Sequence, residues 1–257
     1  MEKYVIFGGN RLCGTVRIGG GKNSVLTILP ACLLSKGVCT IYDVPKLSDV
    51  NVMQEVLECL GAKVERSGST MVVDVSNVST VELPDRLTRM MRASNLVMGP
   101  ILSRFHHVKL AYPGGCSIGS RPMDQHLRGL KLLGAQIVEK HGYIEAKADR
   151  LVGNEICLDF PSVGATENLM MAATLAEGVT TIRNTAREPE IVDLQNFLNS
   201  MGAKVRGAGT DVIKIEGVKE LTSAEHTIIP DRIEAGTFMV IAAATGGDIL
   251  IKNVIPE

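Results

Sequence analysis

The sequence predicts an α/β fold built from repeated α+β units, and three observations lead there. The segment Leu60-Gly61-Ala62-Lys63-Val64 returns as Leu133-Gly134-Ala135-Gln136-Ile137 and again as Met201-Gly202-Ala203-Lys204-Val205, at a spacing near seventy residues. A second glycine turn moves in phase with it, because Gly37 and Gly178 are as far apart as Gly61 and Gly202. In each copy the apolar periodicity switches between helix type and strand type. One short match would be chance, but several in phase mark a unit of helix, strand, helix, strand, strand.

Taken in order, Met1 to Gly9 reads as a strand entering a turn. A helix from about Asn23 to Ser35 ends at Gly37 and turns into the strand Val38 to Tyr42. Met53, Val56, Leu57 and Leu60 then form one face of an amphipathic helix. Gly61 follows its last residue, where a left-handed cap costs glycine nothing. Short alternating strands follow at Ala62 to Glu65 and Met71 to Val75. In the second copy Arg92 opens an apolar helix, Ala93 to Leu102, and Pro122 suits the first turn of a helix ending near Leu133. The third copy has the helix Thr166 to Glu177, the stop Gly178, the strand Val179 to Arg183, and a helix with Ile191, Leu194, Leu198 and Met201 on its apolar face. A fourth copy begins with the apolar helix Arg232 to Thr245, a stop at Gly247 and the strand Ile249 to Lys252. Its second helix and Leu-Gly-Ala turn would fall beyond Glu257, and half a unit cannot cover its own apolar face. The repeat therefore predicts a fourth unit that the sequence leaves incomplete.

Composition narrows the function. Lys and Arg number 27 against 28 Asp and Glu, so no polyanionic partner such as nucleic acid is expected. The absence of Trp argues against base-stacking platforms. The longest apolar run, Val25 to Leu34, is too short for a bilayer and contains Pro30, so no membrane role is expected. With no signal-peptide pattern at the start, the expected setting is cytoplasmic. The six cysteines show no Cys-x-x-Cys spacing and no paired His, which predicts neither metal nor cofactor. Cys32, Cys39, Cys59 and Cys157 lie in apolar patterns and read as small core residues.

Three loops at helix entrances carry candidate chemistry. Gly19-Gly20-Gly21-Lys22-Asn23-Ser24 is a glycine-rich turn with a cation at a helix start, either an anion site or a turn with a solvated lysine. It is not a P-loop, because Asn23 follows the lysine where Ser or Thr would be needed. Tyr112-Pro113-Gly114-Gly115-Cys116-Ser117-Ile118-Gly119-Ser120-Arg121-Pro122 places Cys116 among small polar residues, near Arg121 and a helix N-terminus. That setting makes a thiol reactive, although an inert loop cysteine has the same pattern. His126 reads as a helix residue rather than a base. Pro161-Ser162-Val163-Gly164-Ala165-Thr166 can cap a helix or present backbone N–H groups to a ligand. Arg92 opens its apolar helix either bound to an anion or solvated.

These residues carry a resemblance. Lys22-Asn23, Met91-Arg92-Ala93-Ser94, Pro113 to Gly119, Arg121-Pro122-Met123-Asp124, Ser162 to Thr166, Arg187 to Asp193 and Pro230 to Glu234 together resemble the UDP-N-acetylglucosamine enolpyruvyl transferases, in order and spacing along the whole chain. The resemblance implies an inverse α/β barrel of three units with helices inside. It also implies a first domain at 22–229, with 1–21 and 230–257 belonging to a second.

It further implies transfer of the enolpyruvyl group of phosphoenolpyruvate to the 3-hydroxyl of UDP-N-acetylglucosamine, without a metal. Lys22, Asn23 and Arg121 would face phosphoenolpyruvate. Arg92, Arg121, Pro122, Met123, Asp124, Gln125, Ser162, Val163 and Gly164 would line the UDP-sugar. Cys116 would deliver a proton to the methylene carbon. Residues beyond Glu257 would complete the site, and the alternative is a binding protein that keeps the UDP-sugar surface without turnover.

Overall fold

A computed structural model describes residues 3–114 and 122–256. In chain order the elements are β1 (Cys13–Arg17), α1 (Lys22–Ala31), β2 (Val38–Tyr42), α2 (Ser48–Cys59), β3 (Lys63–Ser67), β4 (Thr70–Asp74), α3 (Asp85–Met90), α4 (Met98–Phe105) and β5 (His107–Ala111). There follow α5 (Asp124–Leu132), β6 (Gln136–Lys140), β7 (Tyr143–Lys147), β8 (Glu155–Cys157), α6 (Val163–Ala173), β9 (Val179–Arg183) and α7 (Pro189–Ser200). The chain continues through β10 (Lys204–Arg206), β11 (Val212–Glu216), β12 (Glu225–Thr227), α8 (Arg232–Thr245) and β13 (Asp248–Lys252). Short 3-10 turns lie at Cys32–Leu34 and Arg92–Val97.

The repeat is legible as three antiparallel sheets, β2-β4-β3, β5-β7-β6 and β9-β11-β10. Each receives one parallel partner from the chain that leaves another unit. Glu82, after the first unit, bridges Lys109 of β5; β8, after the second, pairs with β9; and β12, after the third, pairs with β2. These three handovers close the units into a ring. The sheets stand outside, and α1, α4 and α6 fill the middle. Val25 to Ala31 of α1, Met98 to Ser103 of α4 and Ala165 to Ala173 of α6 are buried throughout. Helices α2 and α7 bury the predicted faces, with Met53, Val56, Leu57, Ile191, Leu194 and Leu198 excluded from solvent, and α2 adds Val50 and α7 adds Glu190, Asp193 and Phe197. Each such side chain contributes about 1.5–3 kcal/mol of transfer free energy to the closed ring. Gly61, Gly134 and Gly202 carry φ of 102°, 101° and 99°, the left-handed conformation expected at those helix ends.

The structure corrects several local expectations. Residues 3–10 form no strand and are exposed, because nothing pairs with them; the first strand is β1. The helix expected to run to Ser35 ends as α-helix at Ala31 and tightens into a 3-10 turn. Arg92 likewise opens a 3-10 turn, and the α-helix starts at Met98. The third-copy helix, expected over Thr166 to Glu177, runs Val163–Ala173. Pro122 precedes the first turn of α5, which is capped at Met123. Helix α8 stops at Gly246, with φ of 58°, rather than at Gly247. Cys157 is exposed on a short edge strand and not a core residue, as is Cys13 on β1.

One two-stranded sheet stands apart from the ring. β1 pairs in parallel with β13, from Cys13 with Asp248 to Arg17 with Lys252. Helix α8 packs on β13, yet only Ala235 along its length is buried.

Candidate active site

Closing three units around inner helices brings three helical starts to one end of the ring. Lys22 and Asn23 open α1, Arg92 and Ala93 open the second 3-10 turn, and Val163 and Gly164 open α6 behind its cap Ser162. All of them line one open cleft of about 700 Å³. The leading N–H groups of a helix have no intrahelical partner and carry partial positive charge, so convergent starts favour an anion. Gly21 and Met91 offer their helices no side-chain cap, whereas Ser162 Oγ accepts from the Ala165 N–H at 3.4 Å.

Full charges sharpen this field. Lys22 Nζ lies 3.3 Å from Asp49 Oδ2, with both side chains substantially exposed. Such a pair is worth about 0–1 kcal/mol, so an incoming anion can compete for the ammonium. Asp231 ties the α1 start to α8. Its Oδ2 accepts from the Lys22 N–H at 3.1 Å, and its Oδ1 accepts from Ile233 and Glu234 at 2.8 and 3.0 Å.

The floor is polar and ordered. Asn168 Oδ1 accepts from the Gly99 N–H at 2.6 Å, so its Nδ2 is the donor to the Asn95 carbonyl at 2.9 Å and to His126 Nδ1 at 3.2 Å. That assignment leaves the His126 proton on Nε2. Burial, and then the nearby Arg92 charge, push the His126 imidazole down to about 4, so at neutral pH it is an uncharged ring. Glu167 of α6 also lines the cleft, 3% exposed, with Thr27 Oγ1 at 2.8 Å from its Oε1. Burial raises its carboxyl to about 8, with Thr27 opposing and Glu190 and Glu188 adding to the shift.

Of the residues singled out in the sequence, Lys22, Asn23, Arg92, Pro122, Ser162, Val163 and Gly164 are gathered in this cleft. Met123 and Asp124 instead line a neighbouring depression of about 610 Å³ with Leu127, Arg128 and Lys131. Gln125 works from behind: it is buried, its Oε1 accepts from the Asp159 N–H at 2.9 Å, and its Nε2 donates to the Phe160 carbonyl at 3.4 Å. It thereby holds the turn that presents Phe160 and Ser162 to the cleft. Cys116 and Arg121 lie outside the described residues. Sequence reasoning missed Thr27, Asp49, Phe160 and Glu167, and took His126 only as a helix residue. For Glu167 a signal existed, since it is a lone charge in the apolar stretch Val163 to Ala173.

Comparison with known proteins identifies the family and the fold. The sequence pattern of EPSP synthase (3-phosphoshikimate 1-carboxyvinyltransferase) matches residues 6–257. The chain is 57% identical over 257 residues to UDP-N-acetylglucosamine 1-carboxyvinyltransferase 1 of Carboxydothermus hydrogenoformans, covering all of this chain and 61% of that protein. It is 58% identical over 255 residues to the protein of the same name from Caldanaerobacter subterraneus subsp. tengcongensis, covering 99% of this chain and 61% of that one. The chain thus spans about three fifths of the length of these relatives. Among solved structures, the enolpyruvyl transferase NikO from Streptomyces tendae superposes with a TM-score of 0.80 at 25% identity, over 90% of this chain and 55% of that one. An EPSP synthase from Acinetobacter baumannii shares the fold at 19% identity, with a TM-score of 0.74 over 97% of this chain and 57% of its own.

Proposed function

The chain belongs to the EPSP synthase family, and from that premise we propose that it forms one wall of the active site of a UDP-N-acetylglucosamine enolpyruvyl transferase. The reaction would move the enolpyruvyl group of phosphoenolpyruvate to the sugar 3-hydroxyl and release phosphate, with no metal or other cofactor. The observation that carries the reading is the convergence of three helical starts, Lys22 and Arg92 on one cleft, which suits substrates bearing phosphate and diphosphate.

In this reading Ser162, Val163 and Gly164 hold the UDP-sugar through backbone N–H groups, with Arg92 opposite and uncharged His126 offering Nε2–H. Lys22 leaves Asp49 for the phosphate of phosphoenolpyruvate, which Arg121 would also hold, with Asn23 alongside in the substrate pocket. Pro122 lines the UDP-sugar from the cleft wall, Met123 and Asp124 from the neighbouring depression, and Gln125 supports the site from behind. Cys116 supplies the proton to the methylene carbon. Residues 22–229 form the first domain, and 1–21 with 230–257 belong to a second, a division supported by the separate pairing of β1 with β13. The setting is cytoplasmic, where UDP-sugars and free thiols coexist, and no described helix is long and apolar enough to cross a membrane.

The test follows inorganic phosphate from a protein that joins this chain to the further length present in its relatives. Release that requires both phosphoenolpyruvate and UDP-N-acetylglucosamine, and that Cys116→Ala abolishes, supports the proposal. Binding of the UDP-sugar with no phosphate release would make the protein a binder, and an absence of both would overturn the reading.

A further inference from the structure

We propose that Glu167 is a positioning residue of the cleft: held as a neutral carboxylic acid, it donates to Thr27 Oγ1, which donates onward to the Asn23 carbonyl and so fixes the turn presenting Lys22 and Asn23. The inference rests on reading the cleft as an anion site for a UDP-sugar, and it adds a residue that the sequence motifs did not include.

Thr27 Oγ1 stands between two oxygens, and the protonation of Glu167 decides which of them takes its hydrogen. Thr27 Oγ1 lies 3.1 Å from the Asn23 carbonyl and 2.8 Å from Glu167 Oε1. A carbonyl only accepts, and threonine has one hydroxyl hydrogen, so when that hydrogen goes to Asn23 the contact with Glu167 needs a proton from the acid. Thr27 is 1% exposed and Glu167 3%, so water does not substitute for either partner. Thr27 is the one hydrogen-bond partner of Glu167 among the described residues, and Glu167 also lines the cleft.

The charges around Glu167 explain why neutrality matters. From α1 comes Lys22, from α2 Asp49, from the 3-10 turn Arg92, and from α5 the uncharged His126. From the α7 side come Glu188 and Glu190, the latter bound by Arg232 Nε at 3.2 Å. Asp193 of α7 is occupied by Ser24 and His226, Arg128 of α5 by Asp159, and Arg104 of α4 by the Leu33 and Val75 carbonyls. An ionised Glu167 would therefore add a third carboxylate beside Glu188 and Glu190 and set a negative charge at the floor of an anion cleft. Its elevated pKa fits the neutral form at pH 7. Above about pH 8 the proton is lost, Thr27 turns its hydrogen to the carboxylate, and the cleft loses both its fixed first turn and its favourable field.

Two measurements on this chain and its Glu167→Gln and Thr27→Val variants test the inference. The first is ¹³C NMR of labelled glutamate carboxyls with ¹H–¹⁵N spectra across pH 5–9. One carboxyl, absent from E167Q, is expected to titrate near pH 8, with the Asn23 and Thr27 amides following the same midpoint in wild type. In T27V the Asn23 amide should no longer follow. Titration of Glu167 in the ordinary carboxylate range, or an Asn23 amide indifferent to it, would overturn the proposal. The second is calorimetric affinity for UDP-N-acetylglucosamine at pH 6.5 and 9. Wild type is expected to weaken by roughly tenfold, the effect of one unit charge facing an anion across a half-open cleft, while E167Q stays within about twofold. Equal pH dependence in the two proteins would also refute it. Failure of wild type to bind the UDP-sugar at pH 6.5 would defeat the proposed function, while the NMR titration would still decide the role of Glu167.

Discussion

Removing the Asp193 carboxylate should cost more stability than any surface charge on this protein. Asp193 is 2% exposed on α7 and joins three elements that are far apart in sequence. Ser24 of α1 donates its hydroxyl to Oδ2, and His226 of β12 donates from Nε2 to Oδ1 at 2.8 Å. His226 also stacks at a tilt on fully buried Phe197, with ring centroids 5.3 Å apart. This is the seam where the third unit closes onto the first. Hydrogen bonds to a charged group contribute about 1.5–3 kcal/mol each, and removing one side of a buried charged network costs about 3–5 kcal/mol because the partners stay buried without an acceptor. Asp193→Ala is therefore expected to lose about 3–5 kcal/mol out of a total on the order of 5–15 kcal/mol. For a chain of this size that lowers the melting temperature by on the order of 10 °C. Urea denaturation followed by circular dichroism gives the number. Glu216→Ala, which removes an exposed partner of Lys204, is the control and should cost less than about 1 kcal/mol. A loss for Asp193→Ala no larger than that of the control would refute the idea that the seam is held by this carboxylate.

Three further outcomes follow from named contacts. Gly99→Ala would place a Cβ 2.3 Å from the Asn168 carbonyl and 2.6 Å from its Oδ1 at the α4–α6 crossing, so it should destabilise by about 1–3 kcal/mol or more in denaturant titration. His126 has a depressed pKa, so between about pH 6.5 and 4 the unfolded chain binds a proton that the folded one refuses. Stability should thus fall as pH drops through that window, and His126→Asn should flatten the slope of ΔG against pH there. Arg92→Ala should weaken UDP binding at least about tenfold by calorimetry, the equivalent of losing one charge-assisted hydrogen bond.

Much of the fold is legible in the chain because its signals are local. Three left-handed glycines, each following an amphipathic helix, announce the unit, and apolar spacing picks out the buried faces of α2 and α7. Boundaries are less legible where tertiary packing decides them, as in the 3-10 turns at Cys32–Leu34 and Arg92–Val97. The parallel handovers by Glu82, β8 and β12 could not be read at all, since each pairs residues distant in sequence through backbone groups that every residue shares. The cleft divides along the same line. Lys22, Asn23, Arg92 and Ser162 to Gly164 sit at helix starts, a position that sequence punctuation reveals. Asp49, Thr27 and His126 matter because of what the ring closure sets against them. Glu167 betrays itself only as a charge in an apolar helix, and its partner Thr27 lies on another unit.

On the proposed function, the three converging helical starts bind a UDP-sugar. Calorimetric titration of UDP-N-acetylglucosamine into the 257-residue chain and into its Arg92→Ala variant tests it most directly. A saturable one-to-one isotherm is expected for the wild type, weakened at least about tenfold in the variant. Heat that never saturates in the wild type, or an affinity unchanged by the loss of Arg92, would contradict it.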